Sequence, residues 1–323
     1  MHEVAFLRKN AEKWKQFEDL LHKPSGADPD RLADLFVQVT DDLSYARTFY
    51  PESKTTQYLN GLATEVHRVL YRNKKEDRGR FRRFWVEELP GVVRSARREM
   101  LVSLLIFVVA AGIGVLSAAN DTGFVRLILG DAYVNMTLSN IEKGDPMAVY
   151  KQMNQLDMAF AITVNNIWVS FYAFAMGLLL SFGTGYVLFQ NGVMLGAFHY
   201  LFHQQGLLWP SLLVIYIHGT LEISVIIIAG AAGLVLGNSI LFPGSHTRGQ
   251  SFLRGARRGL KIVIGLIPIF MVAGFLEGFV TRYTGMPVVL SLGIILGSLG
   301  FIIWYFGFYP YAKRFGDTLQ EGP

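Results

Sequence analysis

Residues 210–237 read PSLLVIYIHGTLEISVIIIAGAAGLVLG. The stretch carries a single formal charge, Glu222, and no internal turn signal. A helix rises about 1.5 Å per residue, so a helix of this length exceeds the ~30 Å of a bilayer's hydrocarbon core. A transmembrane helix is therefore expected. His218 and Glu222 lie four residues apart and share one helix face. Beyond them the side chains shrink to Ala and Gly, which let neighbouring helix backbones approach closely. A carboxylate near mid-bilayer costs roughly 2.5 kcal/mol or more. It needs a partner or a proton, and His218, one turn away, is the expected partner.

Working outward, further apolar stretches lie at 100–119, 158–183, 188–204, 260–281 and 287–309. The stretch at 188–204 is the shortest and has polar residues inside; a full span is preferred to a re-entrant helix. Loop charges orient the set. Arg72, Lys74, Lys75, Arg78, Arg80, Arg82, Arg83, Arg94, Arg97 and Arg98 precede the first span. Arg248, Arg254, Arg257, Arg258 and Lys261 lie between the fourth and fifth, and Lys313 and Arg314 follow the last. The loop at 120–157 is acidic instead, with Asp121, Asp131, Glu142, Asp145 and Asp157. Six spans put every basic cluster on one side, and the positive-inside rule makes that side cytoplasmic, with both termini there. The expected fold is all-α: a polytopic membrane bundle of about six spans behind an N-terminal cytoplasmic helical domain. The expected location is the bacterial cytoplasmic (inner) membrane.

The expected organisation is a cytoplasmic helical domain at 1–77, a basic juxtamembrane segment at 78–99, a membrane domain at 100–309 and a cytoplasmic tail at 310–323. Residues 2–22 repeat Val4, Leu7, Ala11, Trp14 and Phe17 at helical spacing. Pro24-Ser25-Gly26 breaks that helix, and Asp28-Pro29 opens a second as N-cap and first-turn proline. Pro51 ends the second, and a third carries Tyr58, Leu62, Val66 and Leu70. No strand alternation is present, so a small helical bundle is expected. The N-terminus lacks the apolar core of a signal peptide. In the juxtamembrane segment, Phe84 and Trp85 interleave with Arg80, Arg82 and Arg83. This suits an interfacial helix, with aromatics among headgroups and arginines on anionic phosphates. Topology and lipid account for the basic charge, so nucleic acid is not an expected partner. The acidic loop is too long for a plain connector and is expected to be helical around 124–129 and 147–153.

Inside the membrane domain, Gly-xxx-Gly spacing occurs at Gly192/Gly196, Gly233/Gly237, Gly274/Gly278 and Gly293/Gly297. It fits tight packing within a bundle or a homo-oligomer equally well. Pro268 is expected to kink the fifth span. Intramembrane polar residues are functional candidates by their cost. They are Asn165, Asn166, His199, His203, His218, Glu222 and Glu277. Depth counting puts all of them at or above the midplane on the outer side, with Glu222 deepest and Glu277 near the outer surface. That is the pattern of an outward-facing polar cavity. A metal site built on His199 and His203 with His218 or Glu222 is disfavoured, because His218 lies deeper than the other two. No phosphate loop, nucleophile elbow or serine–lysine pairing is present, and the absence of cysteine excludes disulfides and thiolate chemistry. No catalytic residue, metal or cofactor is expected.

His218-Gly219-xx-Glu222 followed by residues 226–237 and Pro243, with Asn191-Gly192-xxx-Gly196 and the approach 84–98, resembles the stage II sporulation protein M family of bacterial and archaeal membrane proteins. Ser44-Tyr45-Ala46-Arg47 and Tyr58-Leu59-Asn60 through His67 and Tyr71 resemble the longer members that carry a cytoplasmic domain. The resemblance implies a six-span fold. It also implies a role like the founding member's, a membrane component of a complex with peptidoglycan-degrading enzymes. A membrane scaffold is therefore expected, with membrane lipids and other membrane or cell-envelope proteins as partners. The alternative is a transporter or channel-like protein that uses Glu222 and His218 as a titrating or ligand-binding pair.

Overall fold

The computed structural model describes residues 2–22, 29–72, 79–151 and 154–312. The expected helix break at 24–28, the basic residues Lys74, Lys75 and Arg78, residues 152–153 and the tail from 313 lie outside the described residues. The chain divides into two compact units, Met1–Arg80 and Phe81–Pro323. Among the described residues all regular structure is helical.

The first unit holds α1 (Glu3–His22), α2 (Pro29–Phe49) and α3 (Lys54–Arg72). Their apolar stripes meet in one core containing Phe6, Trp14, Phe17, Leu35, Val39, Leu59 and Leu62. Polar contacts tie the helices together at the edges of that core. The Trp14 indole N–H donates to Asp42 Oδ2 at 2.7 Å, and Lys13 pairs with the same oxygen at 2.6 Å. Arg47 donates to Asn60 at 2.6 Å, and the Tyr58 hydroxyl donates to Glu18 at 2.8 Å. Asp42→Ala leaves a buried indole N–H without its acceptor. It is expected to destabilise this unit by about 1–3 kcal/mol. Hydrogen exchange on the full chain checks this: protection should fall in α1 and α2 while the second unit keeps its own, and unchanged protection in α1 contradicts it.

The second unit begins with α4 (Arg80–Arg83), a π-helical turn at Phe84–Glu88 and α5 (Leu89–Ser95), then α6 (Arg97–Asn120). The approach to the first span is built into the bundle. Leu89, Val92, Val93 and Ala96 are core residues, and Phe84 and Trp85 pack against that core. The Tyr305 hydroxyl donates to the Trp85 carbonyl at 2.6 Å, and Lys261 pairs with Glu88 at 2.6 Å. Phe81, Arg82 and Arg83 remain exposed.

The acidic segment folds as α7 (Phe124–Leu129), α8 (Asp131–Glu142) and a 3-10 turn at Ala148–Lys151. Then come α9 (Gln155–Ala175) with a 3-10 turn at Met176–Leu178, α10 (Phe182–Gln204) and α11 (Leu208–Leu241). The chain closes with α12 (Arg248–Phe275), a π turn at Leu276–Val280, α13 (Val288–Ile302), a π turn at Ile303–Phe308 and α14 (Tyr309–Ala312).

Among the described residues, five helices are long and apolar enough to cross a membrane: Arg97–Asn120, Gln155–Leu178, Leu208–Leu241, Arg248–Val280 and Val288–Ala312. The remaining stretch, α10, is one continuous 23-residue helix beginning at Phe182 rather than 188. Gln190, Asn191, His199 and His203 lower its mean hydropathy below that of the others. The basic segment after α11 also differs from expectation. It is not a loop: Arg248–Lys261 forms the first turns of α12, started by a capping box in which Thr247 and Gln250 cap one another. Hydropathy locates the apolar part of a helix, whereas the cap locates its end. Pro268 sits inside α12, which continues through it.

The helix formed by the 210–237 stretch is the centre of the bundle. α11 touches α6, α9, α10, α12 and α13. Its Gly/Ala face is buried without interruption from Ile228 to Gly237. The glycines explain how. A Cβ on Gly177 would lie 2.2 Å from the Gly233 carbonyl oxygen, and one on Gly237 2.3 Å from the Ser181 backbone nitrogen. Gly192 and Gly196 seat α10 on α6, and Gly274 and Gly278 seat the end of α12 on α9. Gly293 and Gly297 face open space on α13.

Candidate functional site

His218 and Glu222 project from α11 toward the π turn that follows α12. That turn carries Glu277 and leads into Thr281, whose backbone N–H bonds to the Leu276 carbonyl five residues back, at 2.8 Å. The extra residue in the turn rotates Glu277 into the bundle, where it is only 8% exposed. π turns of this kind concentrate at functional sites.

His218 is buried at 3% exposure. Its Nδ1 lies 2.9 Å from Thr281 Oγ1, and that hydroxyl donates to the Leu276 carbonyl at 3.2 Å. With the hydroxyl proton so engaged, Nδ1 must donate. The other ring nitrogen, Nε2, faces Glu277 Oε2 at 3.7 Å. Glu222 accepts a hydrogen bond from the Asn166 side chain on α9. A carboxyl oxygen of Glu222 and one of Glu277 lie within 4.8 Å of each other, and two carboxyls this close favour sharing one proton. Tyr150, on the 3-10 turn of the acidic segment, meets the His218 ring edge-on at 5.5 Å. Burial, with the Glu277 carboxylate next in size, holds its phenol well above its ordinary pKa. α9, α11, the π turn and the acidic segment thus each contribute a side chain to one cluster.

The sequence expectation paired His218 with Glu222. The nearest carboxylate to His218 is Glu277 instead, because a partner one turn away on the same helix points alongside the ring, whereas Glu277 comes from the facing element. Asn165 is exposed. His199 bonds through Nδ1 to the Leu195 carbonyl at 2.7 Å, packs near Tyr216, and has a buried Nε2 without a partner. His203 is exposed beside Tyr200. Neither histidine joins the cluster. Sequence reasoning misses Thr281 and Tyr150, since a threonine at a span's end and a tyrosine in a long loop carry no periodic signal.

One nitrogen and one oxygen from each carboxyl, on His218, Glu222 and Glu277, lie within 4.8 Å of one another. Among the described residues this is the group suited to hold a metal ion. The histidine pair His199 and His203 belongs to no such group. One imidazole with two carboxylates suits Zn²⁺ or a similar cation. The same set suits a shared proton equally.

An all-helical bundle with a glycine-lined central helix and a carboxylate–histidine cluster inside it defines a multi-pass membrane protein. Residues 103–282, which contain Asn166, Tyr150 and the whole α11–π-turn pair, match the family model of stage II sporulation protein M, and the chain belongs to that family. Residues 4–72, the three-helix unit, match the model of a domain of unknown function, DUF8413. No curated protein and no solved structure gives a match.

Proposed function

We propose that this protein is a non-enzymatic scaffold of the bacterial cytoplasmic membrane, with both termini inside, anchoring other membrane or cell-envelope proteins. One observation carries this reading: a folded three-helix unit with its own core is joined to a membrane bundle of the stage II sporulation protein M family. The segment α7–α8 supports it, because it too is folded. Val125 and Val134 pack with Ala118 and Leu201, while Leu127 stands 77% exposed. The positive-inside rule puts the three-helix unit and this segment on opposite sides of the membrane, so that the two surfaces serve different partners.

The test is crosslinking and recovery of partners from native membranes with the tagged full chain. Deleting residues 1–77, or the single change Leu127→Lys, should each remove part of the recovered set. Glu222→Gln should leave it intact. Recovery unaffected by the first two changes and lost with the third sinks the scaffold.

A second reading rests on the cluster itself. Its two carboxyls and one imidazole, with a ligand atom of each within 4.8 Å of the others, suit a proton- or cation-binding site, as a transporter or channel-like protein needs. In proteoliposomes it predicts a pH-dependent flux that Glu222→Gln abolishes. Absence of any pH-dependent signal across imposed gradients counts decisively against it.

A further inference from the structure

A large cavity in the second unit lies away from the carboxylate–histidine cluster, where the starts of α6, α10 and α12 meet the end of α11. Its volume is about 1100 Å³. This is at or above the upper end for sites that hold drug-sized ligands, roughly 1,000 Å³. The lining is sorted along the helices. On α6, Arg98 and Glu99 stand at the end, and Val102 and Ile106 follow on the same face as Arg98, one and two turns deeper. On α12, Arg254 and Arg258 lie four residues apart on the face that carries Gly255. α10 contributes Phe182, Gly185, Tyr186 and Phe189, of which Phe182 is 82% exposed, so the cavity opens sideways along an apolar helix face.

The arginines are held ready for an anion. Among the described residues none of Arg98, Arg254 and Arg258 forms an ion pair with a carboxylate, and Arg258 has a buried Nε without a hydrogen-bond partner. Arg258 is anchored from its other end, donating to Ser95 at 2.7 Å, and Arg254 bonds to His246. The one acid in the lining, Glu99, accepts from Asn238 at 3.2 Å and faces Arg258 electrostatically, so it offsets part of the positive charge of the three arginines. Leu180 and Ser181, both lining the cavity, hold consecutive left-handed conformations with φ of 53° and 68°. Non-glycine residues are strained in that region, and such strain gathers at binding sites. Ser181 stays in place by packing on Gly237 and bonding to Asn238 at 3.1 Å.

A cationic end and an apolar, laterally open depth together select an amphiphile. We propose that this cavity is a binding site for an anionic phospholipid, with the phosphodiester on Arg98, Arg254 and Arg258 and one acyl chain along Val102, Ile106 and Phe189. Arginine matches phosphate oxygens with paired donors, and a basic pocket between membrane helices is the expected form of headgroup site.

The test uses the full chain purified in a neutral detergent, with native mass spectrometry and thermal melting as readouts. Added phosphatidylglycerol should be retained as a discrete adduct and should raise the melting temperature. Phosphatidylcholine of the same chains should do neither, and inorganic phosphate at millimolar concentration should not stabilise. Arg254→Gln should weaken retention at least tenfold. A Cβ at Gly185 meets nothing within 4 Å, so Gly185→Trp can fill the apolar depth from a position with room for it and should also abolish retention. Gly293→Trp, equally open but on α13, should not. Equal retention of phosphatidylcholine, or a phosphatidylglycerol adduct unaltered by both Arg254→Gln and Gly185→Trp, overturns the proposal. Stabilisation by inorganic phosphate alone overturns the lipid and leaves a simple anion site.

Discussion

Replacing Gly233 with leucine is expected to destroy the packed membrane bundle, whereas the same change at Gly293 should be nearly silent. Both glycines sit in Gly-xxx-Gly pairs in apolar helices. They differ in what faces them. A Cβ on Gly233 would lie 2.3 Å from Thr184 Oγ1 and 2.5 Å from the Ala173 carbonyl oxygen. The second is backbone of a packed helix and cannot swing aside. Gly233 also holds the Gly177 backbone in direct contact, so α11 must separate from the end of α9 to admit any side chain. The added Cβ would also push Thr184 Oγ1 off its hydrogen bond to Ala173, now 2.8 Å, and separation opens voids along a fully buried face. Overpacking commonly costs about 1–3 kcal/mol, and a backbone contact with nowhere to relax should exceed that range. Gly293 has nothing within 4 Å, and an exposed substitution there should fall within about 0.5 kcal/mol. Size-exclusion profiles and thermal melts in detergent compare the two directly. Equal melting temperatures would show that α11 is not packed as described.

The second large effect is expected at Glu277. Changing it to leucine removes the carboxyl that faces both His218 and Glu222 and leaves buried His218 and half-buried Glu222 without it. Each buried polar group left unsatisfied costs about 1–3 kcal/mol. Glu277→Gln keeps a donor and an acceptor in the same volume and should cost about 1 kcal/mol. Melting temperatures of the purified variants give the comparison. Leucine tolerated as well as glutamine would mean that the three side chains do not form a buried network. The glutamine variant also separates the two functional readings. If it folds and still recovers partners, the cluster serves the bundle's structure. If it folds but loses a pH-dependent flux, the cluster is the site of function.

Much of this fold is legible in the amino-acid sequence. Residues 210–237 announce a buried span, and their small-residue half correctly implies close neighbours. The three N-terminal helices follow from Trp14, Phe17 and Leu20 at helical spacing and from the proline breaks. Two features leave only a faint local signal. Thr247 and Gln250 form a capping box, and it places the basic residues 248–261 on a helix where charge alone suggests a loop. Asp131, after Gly130 with its φ of 82°, starts α8 in a segment expected to be mostly loop.

The carboxylate–histidine cluster is half legible. Cost alone marks His218, Glu222, Glu277 and Asn166 as functional candidates, since each is expensive in hydrocarbon. The same rule marks His199, His203 and Asn165, which the fold sends elsewhere. Asn165 and Asn166 are adjacent, yet a helix turns about 100° per residue, so only Asn166 reaches Glu222.

The sequence by itself determined an all-α membrane bundle and a family. Those follow from hydropathy, charge and small-residue content, which are summed along the chain and survive errors of a residue or two. Only the tertiary structure decided which polar groups meet and which glycines matter. Both depend on rotational phase about each helix axis and on what stands opposite. A single π turn at Leu276–Val280 shifts that phase enough to bring Glu277 from an expected surface position onto His218 and Glu222. No local pattern in the sequence records that shift.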